Sequence, residues 1–154
     1  MRVLLAAHAA LPRSTAGVEV YTHRLARALQ RRGHDVVVLA AVHDLSAAPY
    51  SVRARTHDGV EVHEVVNVHL GGTLASTYDD PALLPPVVAL LRRFRPDVVH
   101  LQHLLNLPAG IVDAAHAAGA PVALTLHDHW TSCARDGLRM RADLQHCDVV
   151  EHAT

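Results

Sequence analysis

Two stretches near the amino terminus, Arg2-Val3-Leu4-Leu5-Ala6-Ala7-His8 and Asp35-Val36-Val37-Val38-Leu39-Ala40-Ala41-Val42, decide the class of fold. Neither alternates apolar with polar, the pattern of strands buried on both faces in a parallel sheet covered by helices. Between them lie a loop with Pro12, Ser14 and Thr15, then a helical segment from Gly17 to about Arg32. Its apolar residues Val18, Tyr21, Leu25, Ala28 and Leu29 recur at spacings that gather them on one helix face. Glu19 in the first turn and Arg31 and Arg32 in the last suit the helix dipole. Gly33 suits the position just past the helix end. Strand, helix and strand in this order make one right-handed parallel crossover.

The rest of the chain repeats the alternation. Gly59 precedes a third strand at Val60–Val66, whose partial alternation predicts a place near the sheet edge. Asn67–Tyr78, with Gly71 and Gly72, reads as a loop. Asp80-Pro81 starts a helix, Asp as cap and Pro in the first position, that runs to about Arg95. A fourth strand follows at Asp97–His103, a helix from Asn106-Leu107-Pro108 to Gly119, and a fifth strand at Pro121–His127. Cys147-Asp148-Val149-Val150 is the candidate for a truncated sixth. The expected class is α/β, a doubly wound parallel sheet in the order 3-2-1-4-5. Ligands of such sheets bind beyond the carboxyl ends of the strands, at the switch point between strands one and four. That rule selects residues 8–17, 100–106 and 127–130.

Composition bounds the rest. A chain of 154 residues suits one domain, and with 3% aromatic residues its core must be built from Ala, Val and Leu. No apolar run approaches the ~20 residues of a membrane helix. His8 interrupts the first apolar stretch too early for a signal peptide. A formal net charge of −1 predicts no attraction to nucleic acid. Two Cys form no disulfide framework, so a reducing, cytoplasmic setting is the default.

Gly17 stands where a loop from the first strand enters a helix, whose unpaired N–H groups can hold a phosphate. The alternative is a helix-start glycine with no ligand. Gly-x-Gly-x-x-Gly and Walker A patterns are both missing, against NAD, FAD or a P-loop nucleotide. His127, at the carboxyl end of strand five, can hydrogen-bond a sugar or phosphate oxygen, or act as acid or base. Of His100 and His103, three apart on a strand, only one can point into the crevice, and His103 is nearer its end. His129 reads as structural. Cys133 and Cys147 stand too far apart for a close zinc pair, so neither metal nor cofactor is expected.

Three segments together resemble the N-terminal domain of a retaining, family 4 glycosyltransferase of GT-B fold. The first is Thr15-Ala16-Gly17-Val18-Glu19-Val20 leading to Leu25-Ala26-Arg27-Ala28-Leu29 and Gly33-His34-Asp35-Val36-Val37-Val38. The second is Arg95-Pro96-Asp97-Val98-Val99-His100-Leu101-Gln102-His103, and the third Leu124-Thr125-Leu126-His127-Asp128-His129-Trp130. The resemblance implies a Rossmann-like sheet that is one half of a GT-B architecture. It makes residues 1–154 the acceptor-side domain, unfinished at its carboxyl end, with the donor-binding domain absent. It implies a nucleotide-sugar donor held mainly by that other domain, a sugar, lipid or small-molecule acceptor, and peripheral membrane association of the longer protein. His127 would approach the transferred sugar as the catalytic residue. Ala16 and Gly17 would lie near diphosphate and acceptor, Ala16 replacing the first glycine of the family's usual pair; Asp128 supports the turn after His127, and with the strand-end residue His103 it is counted among the expected substrate-binding residues. Half a cleft cannot hold donor and acceptor together in a water-poor space, so the isolated chain is expected to be inactive. A stand-alone module for a small phosphorylated or sugar ligand and one chain of a split glycosyltransferase are the alternatives. An exposed apolar patch beside the crevice would mark a half-enzyme.

Overall fold

The first apolar run forms β1 (Arg2–Ala7), and Val3 to Ala7 are all buried. The computed structural model describes residues 1–68, 75–133 and Gln145. From β1 the chain passes through α1 (Gly17–Arg31) to β2 (Asp35–Val42), and then to β3 (Val52–His57) and β4 (Val60–Val66). A 3-10 turn at Pro81–Leu83 leads into α2 (Leu84–Phe94), β5 (Val98–Leu101), α3 (Ile111–Ala117) and β6 (Val122–Leu124). The six strands form one sheet in the order β3-β4-β2-β1-β5-β6. All pairings are parallel except the antiparallel hairpin β3–β4. The five strands expected from the sequence keep the expected order, and β3 is added outside them.

Alternate residues of the central strands feed two cores. Leu4, Ala6, Val37, Leu39, Val99 and Leu101 pack under α2 and α3, against Leu83, Val87, Leu91 and Ile111. Val3, Leu5, Val36, Val38 and Val62 face α1 through Ala26, Leu25 and Leu29. Burial on both faces is what removes the polar alternation from β1 and β2. Gly33 turns the chain out of α1 in a left-handed conformation (φ 79°) that suits glycine. Asp80 accepts a hydrogen bond from the Ala82 backbone at 3.0 Å, the capping role expected of it.

Several expectations need correction. β4 is not at the edge: only Glu61 on it is exposed, and β3 lies beyond it. β3 carries no apolar signal because its inward face is Arg53, Arg55 and His57, while Val52, Ala54 and Thr56 face solvent. The arginines turn inward toward Glu64 of β4, which is 1% exposed. Arg55 Nε donates to it at 2.6 Å, Arg53 Nε at 2.9 Å and Arg13 Nε at 3.1 Å, and Arg53 also reaches Asp44 at 2.8 Å. One carboxylate thereby ties the edge strand and the β1–α1 loop to the sheet. Inward charges on an edge strand also discourage pairing with another chain. The helix expected from Asn106 begins at Ile111, because Asn106 is left-handed (φ 65°). The Asn106 and Ala109 N–H groups donate to the Thr77 and Tyr78 carbonyls instead of starting a helix. β5 and β6 are shorter than expected, and the sixth-strand candidate at Cys147–Val150 lies outside the described residues.

Truncating Leu39 (1% exposed) to Ala should cost about 2–5 kcal/mol in urea unfolding followed by circular dichroism. Leu45→Ala, at 80% exposure, should fall within about 0.5 kcal/mol of the parent. Glu64→Gln leaves three guanidinium groups without their carboxylate. Because those arginines keep some solvent, a loss of about 3 kcal/mol, the low end for a broken buried pair, is expected by the same measurement.

Candidate functional site

The parallel strands β1, β5 and β6 end side by side, and the residues leaving them meet over the start of α1. His8 follows β1, Gln102 and His103 follow β5, and His127 and Asp128 follow β6. Ala16 is the cap residue of α1, extended and without a side-chain hydrogen bond to the first turn. Gly17 is exposed, and a Cβ built there would meet nothing within 4 Å. No neighbour in the described chain therefore requires glycine at position 17. The space above it is open to a ligand.

The side chains interlock. His8 Nε2 lies 2.9 Å from Glu19, a fully buried carboxylate in the first turn of α1, where the helix dipole favours negative charge. The His8 ring meets the His103 ring edge-on at 4.7 Å between centroids. His103 Nδ1 accepts from the Leu105 backbone N–H at 3.1 Å, which leaves its Nε2–H to donate to Asp128 at 3.3 Å. The other Asp128 oxygen accepts from the Trp130 backbone at 2.8 Å, so both of its oxygens are engaged within the chain. His127 Nε2 donates to the buried Gln102 side chain at 3.0 Å, and Tyr21 of α1 packs edge-on against its ring. His100 turns instead to Thr125, at 2.8 Å.

Burial, more than anything else, holds His8 below its ordinary pKa. Glu19 and Asp128 oppose that shift, while His103 and His127 add to it. His100 is lowered by burial and then by His127. For Glu64, burial pushes the carboxyl up, but hydrogen bonds from Arg55 and Arg53 and the charges of Arg55 and Arg13 outweigh it and hold the group below its usual range.

Beside this cluster, over the carboxyl ends of β1, β2 and β4, opens a cavity of about 410 Å³. His8, Arg13, Ser14, His43, Asn67 and Asn106 supply its polar wall, and Ala9, Ala10, Ala41 and Val42 its apolar one. Under His127, Gln102, His103 and Asp128 the free space is only about 30 Å³. His8 belongs to both regions: its ring touches His103 and it lines the cavity.

Of the residues selected from the sequence, the structure brings His103, Asp128 and His127 around one small space and sets His8 between His103 and Glu19, while Ala16 and Gly17 stand at the exposed start of α1. The strand-end rule takes in Arg13 and Asn106 only as members of residues 8–17 and 100–106 and gives neither a role; Asn67 lies outside its ranges, and the sequence gives Glu19 only a helix-dipole role. Glu19 did carry one signal. An acidic residue at the third position of a helix whose first turn faces the switch point can reach back to the strand end. Cys133 is partly buried, and Cys147 and His146 lie outside the described residues. Among the described residues no helix is long and apolar enough to cross a membrane.

A doubly wound sheet with its crevice at the β1/β5 switch point is the arrangement of a Rossmann-like ligand-binding domain. Residues 16–153 match the glycosyl transferase 4-like domain, and the chain belongs to that family as a GT-B, family 4 N-terminal domain. It is 35% identical over 121 residues to a GDP-mannose-dependent alpha-mannosyltransferase of Mycolicibacterium smegmatis, covering 79% of this chain and 31% of that protein. It is 33% identical over 122 residues to the enzyme of the same name from Mycobacterium tuberculosis, covering 79% and 30%. The chain therefore spans about a third of the length of these curated relatives. The catalytic domain of starch synthase IV from Arabidopsis thaliana, bound to ADP and acarbose, shares the fold, with a TM-score of 0.55 and 17% identity over 82% of this chain and 34% of that one.

The lowered pKa values of His8 and His100 make stability depend on pH. The unfolded chain takes up their protons first, near the ordinary value of about 6.5, so stability should fall as pH drops from 7.5 towards 5.5. Thermal midpoints across that range should decline, and His8→Gln should flatten the slope by removing one of the protons taken up.

Proposed function

We propose that this domain is the acceptor-side half of a nucleotide-sugar-dependent, retaining glycosyltransferase that transfers a hexosyl group to an acceptor hydroxyl. The names of the relatives make GDP-mannose the donor to test first. The observation that carries the reading is the meeting of the α1 amino terminus, His8, His103 and His127 at the switch point, beside a cavity large enough for a sugar. Ala16 and Gly17 present uncapped N–H groups toward the diphosphate and acceptor. His127, its Nε2–H fixed by Gln102, faces the transferred sugar as the catalytic residue. His103 and Asp128 form the wall that holds His8, and Glu19 orients His8 toward the acceptor in the cavity. The transfer belongs to the cytoplasmic side, with peripheral membrane contact a property of the longer protein.

Leu124 and Leu126 support the half-cleft reading. They are 50% and 62% exposed beside His127, where a second half would dock.

Titrating ¹⁵N-labelled chain with methyl α-mannoside should shift the backbone signals of Ala9, Ser14, Asn67 and Asn106, with millimolar affinity, weakened several-fold by His8→Ala. Shifts confined to other surfaces would overturn the assignment of the cavity. Incubated with GDP-mannose and a mannoside, the same chain should release no GDP and form no disaccharide. Turnover by the isolated chain would sink the half-cleft reading and leave the cavity assignment standing.

A further inference from the structure

Away from the crevice, α1 carries a second constellation. His23, Arg27 and Gln30 lie four and three residues apart on one stripe of the helix, and that stripe faces the β3–β4 turn. Arg27 donates to the Asp58 carbonyl, and Gln30 to the Gly59 carbonyl at 3.0 Å. The turn is tight: Asp58 and Gly59 are both left-handed, with φ of 45° and 76°. Held in this way, the hairpin sets His57 and Asp58 against His23. The His23 and His57 rings lie 5.2 Å apart between centroids, and one ligand atom from each of the three residues falls within 4.8 Å of the others.

The distances are informative. His23 Nε2 and His57 Nε2 each lie 3.7 Å from the same oxygen, Asp58 Oδ2. That is too long for a hydrogen bond, which needs about 2.7–3.2 Å. It is close to the separation of about 3.3 Å between neighbouring ligands of a tetrahedral zinc ion with bonds of about 2.0–2.1 Å. The two imidazoles thus converge on one carboxylate oxygen without bonding to it. Each imidazole–carboxylate distance would close by a few tenths of an ångström, and the two imidazole ligand atoms, within 4.8 Å of each other, draw together by side-chain rotation. His23 and His57 are partly buried, with side chains 14% and 27% exposed, and Asp58 is 67% exposed. One side of the site is therefore walled by protein and the other open to water.

We infer that His23, His57 and Asp58 form a site for a divalent transition metal of the zinc class, clamping α1 to the β3–β4 hairpin. Two imidazoles and one carboxylate are a donor set such ions accept, with water completing the fourth position. The backbone bonds from Arg27 and Gln30 preorganise the turn before any metal arrives. The Arg27 charge beside the site opposes a second cation, which sets the affinity in the micromolar range rather than tighter. The role is structural, since the site lies at the amino end of β4, away from the crevice.

Zinc titration of the metal-free chain against a chromophoric chelator tests this. One equivalent should bind with micromolar affinity and raise the thermal midpoint. His23→Ala and His57→Ala should each weaken binding about tenfold or more and abolish the rise, while a Cys133→Ser/Cys147→Ser chain keeps both. His23 lies on α1 and His57 at the end of β3, both partly buried, and circular dichroism without metal checks that the variants fold. Zinc uptake unchanged by His23→Ala and His57→Ala, uptake lost only in the cysteine variant, or no stoichiometric uptake would each overturn the assignment.

Discussion

Strand β1 is the constraint on which the rest of the structure depends. It lies between β2 and β5, parallel to both, with Val3 to Ala7 buried. The crossover through α1 leaves it on one face, and the return through α2 to β5 comes by the other. Right-handed crossovers on opposite faces must diverge at the strand's carboxyl end, and the gap between them is the crevice. His8 is the first residue past that end. Its place between the start of α1 and the β5 loop follows from the register of β1, not from any local preference.

Two buried carboxylates then fix what surrounds the gap. Glu19 sits in the first turn of α1 and faces His8, and Glu64 sits on β4 and gathers Arg13, Arg53 and Arg55. A buried charge is tolerated only with partners, so Glu64 gathers the guanidinium groups around it, while Glu19 has the His8 ring at 2.9 Å without an aligned hydrogen bond. Through Arg13, Glu64 also shapes the loop that forms one wall of the cavity. The edge of the sheet and the cavity side of the fold are thus mechanically linked by one acid.

The five parallel strands were legible because burial on both faces writes a continuous apolar run. Their order followed from crossover handedness and the usual switch point. β3 was not legible, since Arg53 and Arg55 point inward toward Glu64, nine or more residues further along the chain, and His57 toward His23 of α1. The same carboxylate made β4 look half-exposed: Glu64 and His63 read as surface residues, yet both are buried. The start of α3 was misplaced because Asn106 and Ala109 send their N–H groups to Thr77 and Tyr78, a long-range exchange with no local mark.

The sequence by itself determined the five parallel strands and their winding, and put Gly17, His103, His127 and Asp128 at the ends of elements, because periodicity and strand-end position are local properties. Tertiary structure alone decided which side chains share that space. It joined Glu19 to His8, engaged both oxygens of Asp128, and placed the larger cavity toward Arg13, Asn67 and Asn106 rather than under His127. The physical reason is that a charged or hydrogen-bonding group is satisfied by whatever lies within about 3 Å, and chain distance places no limit on that partner.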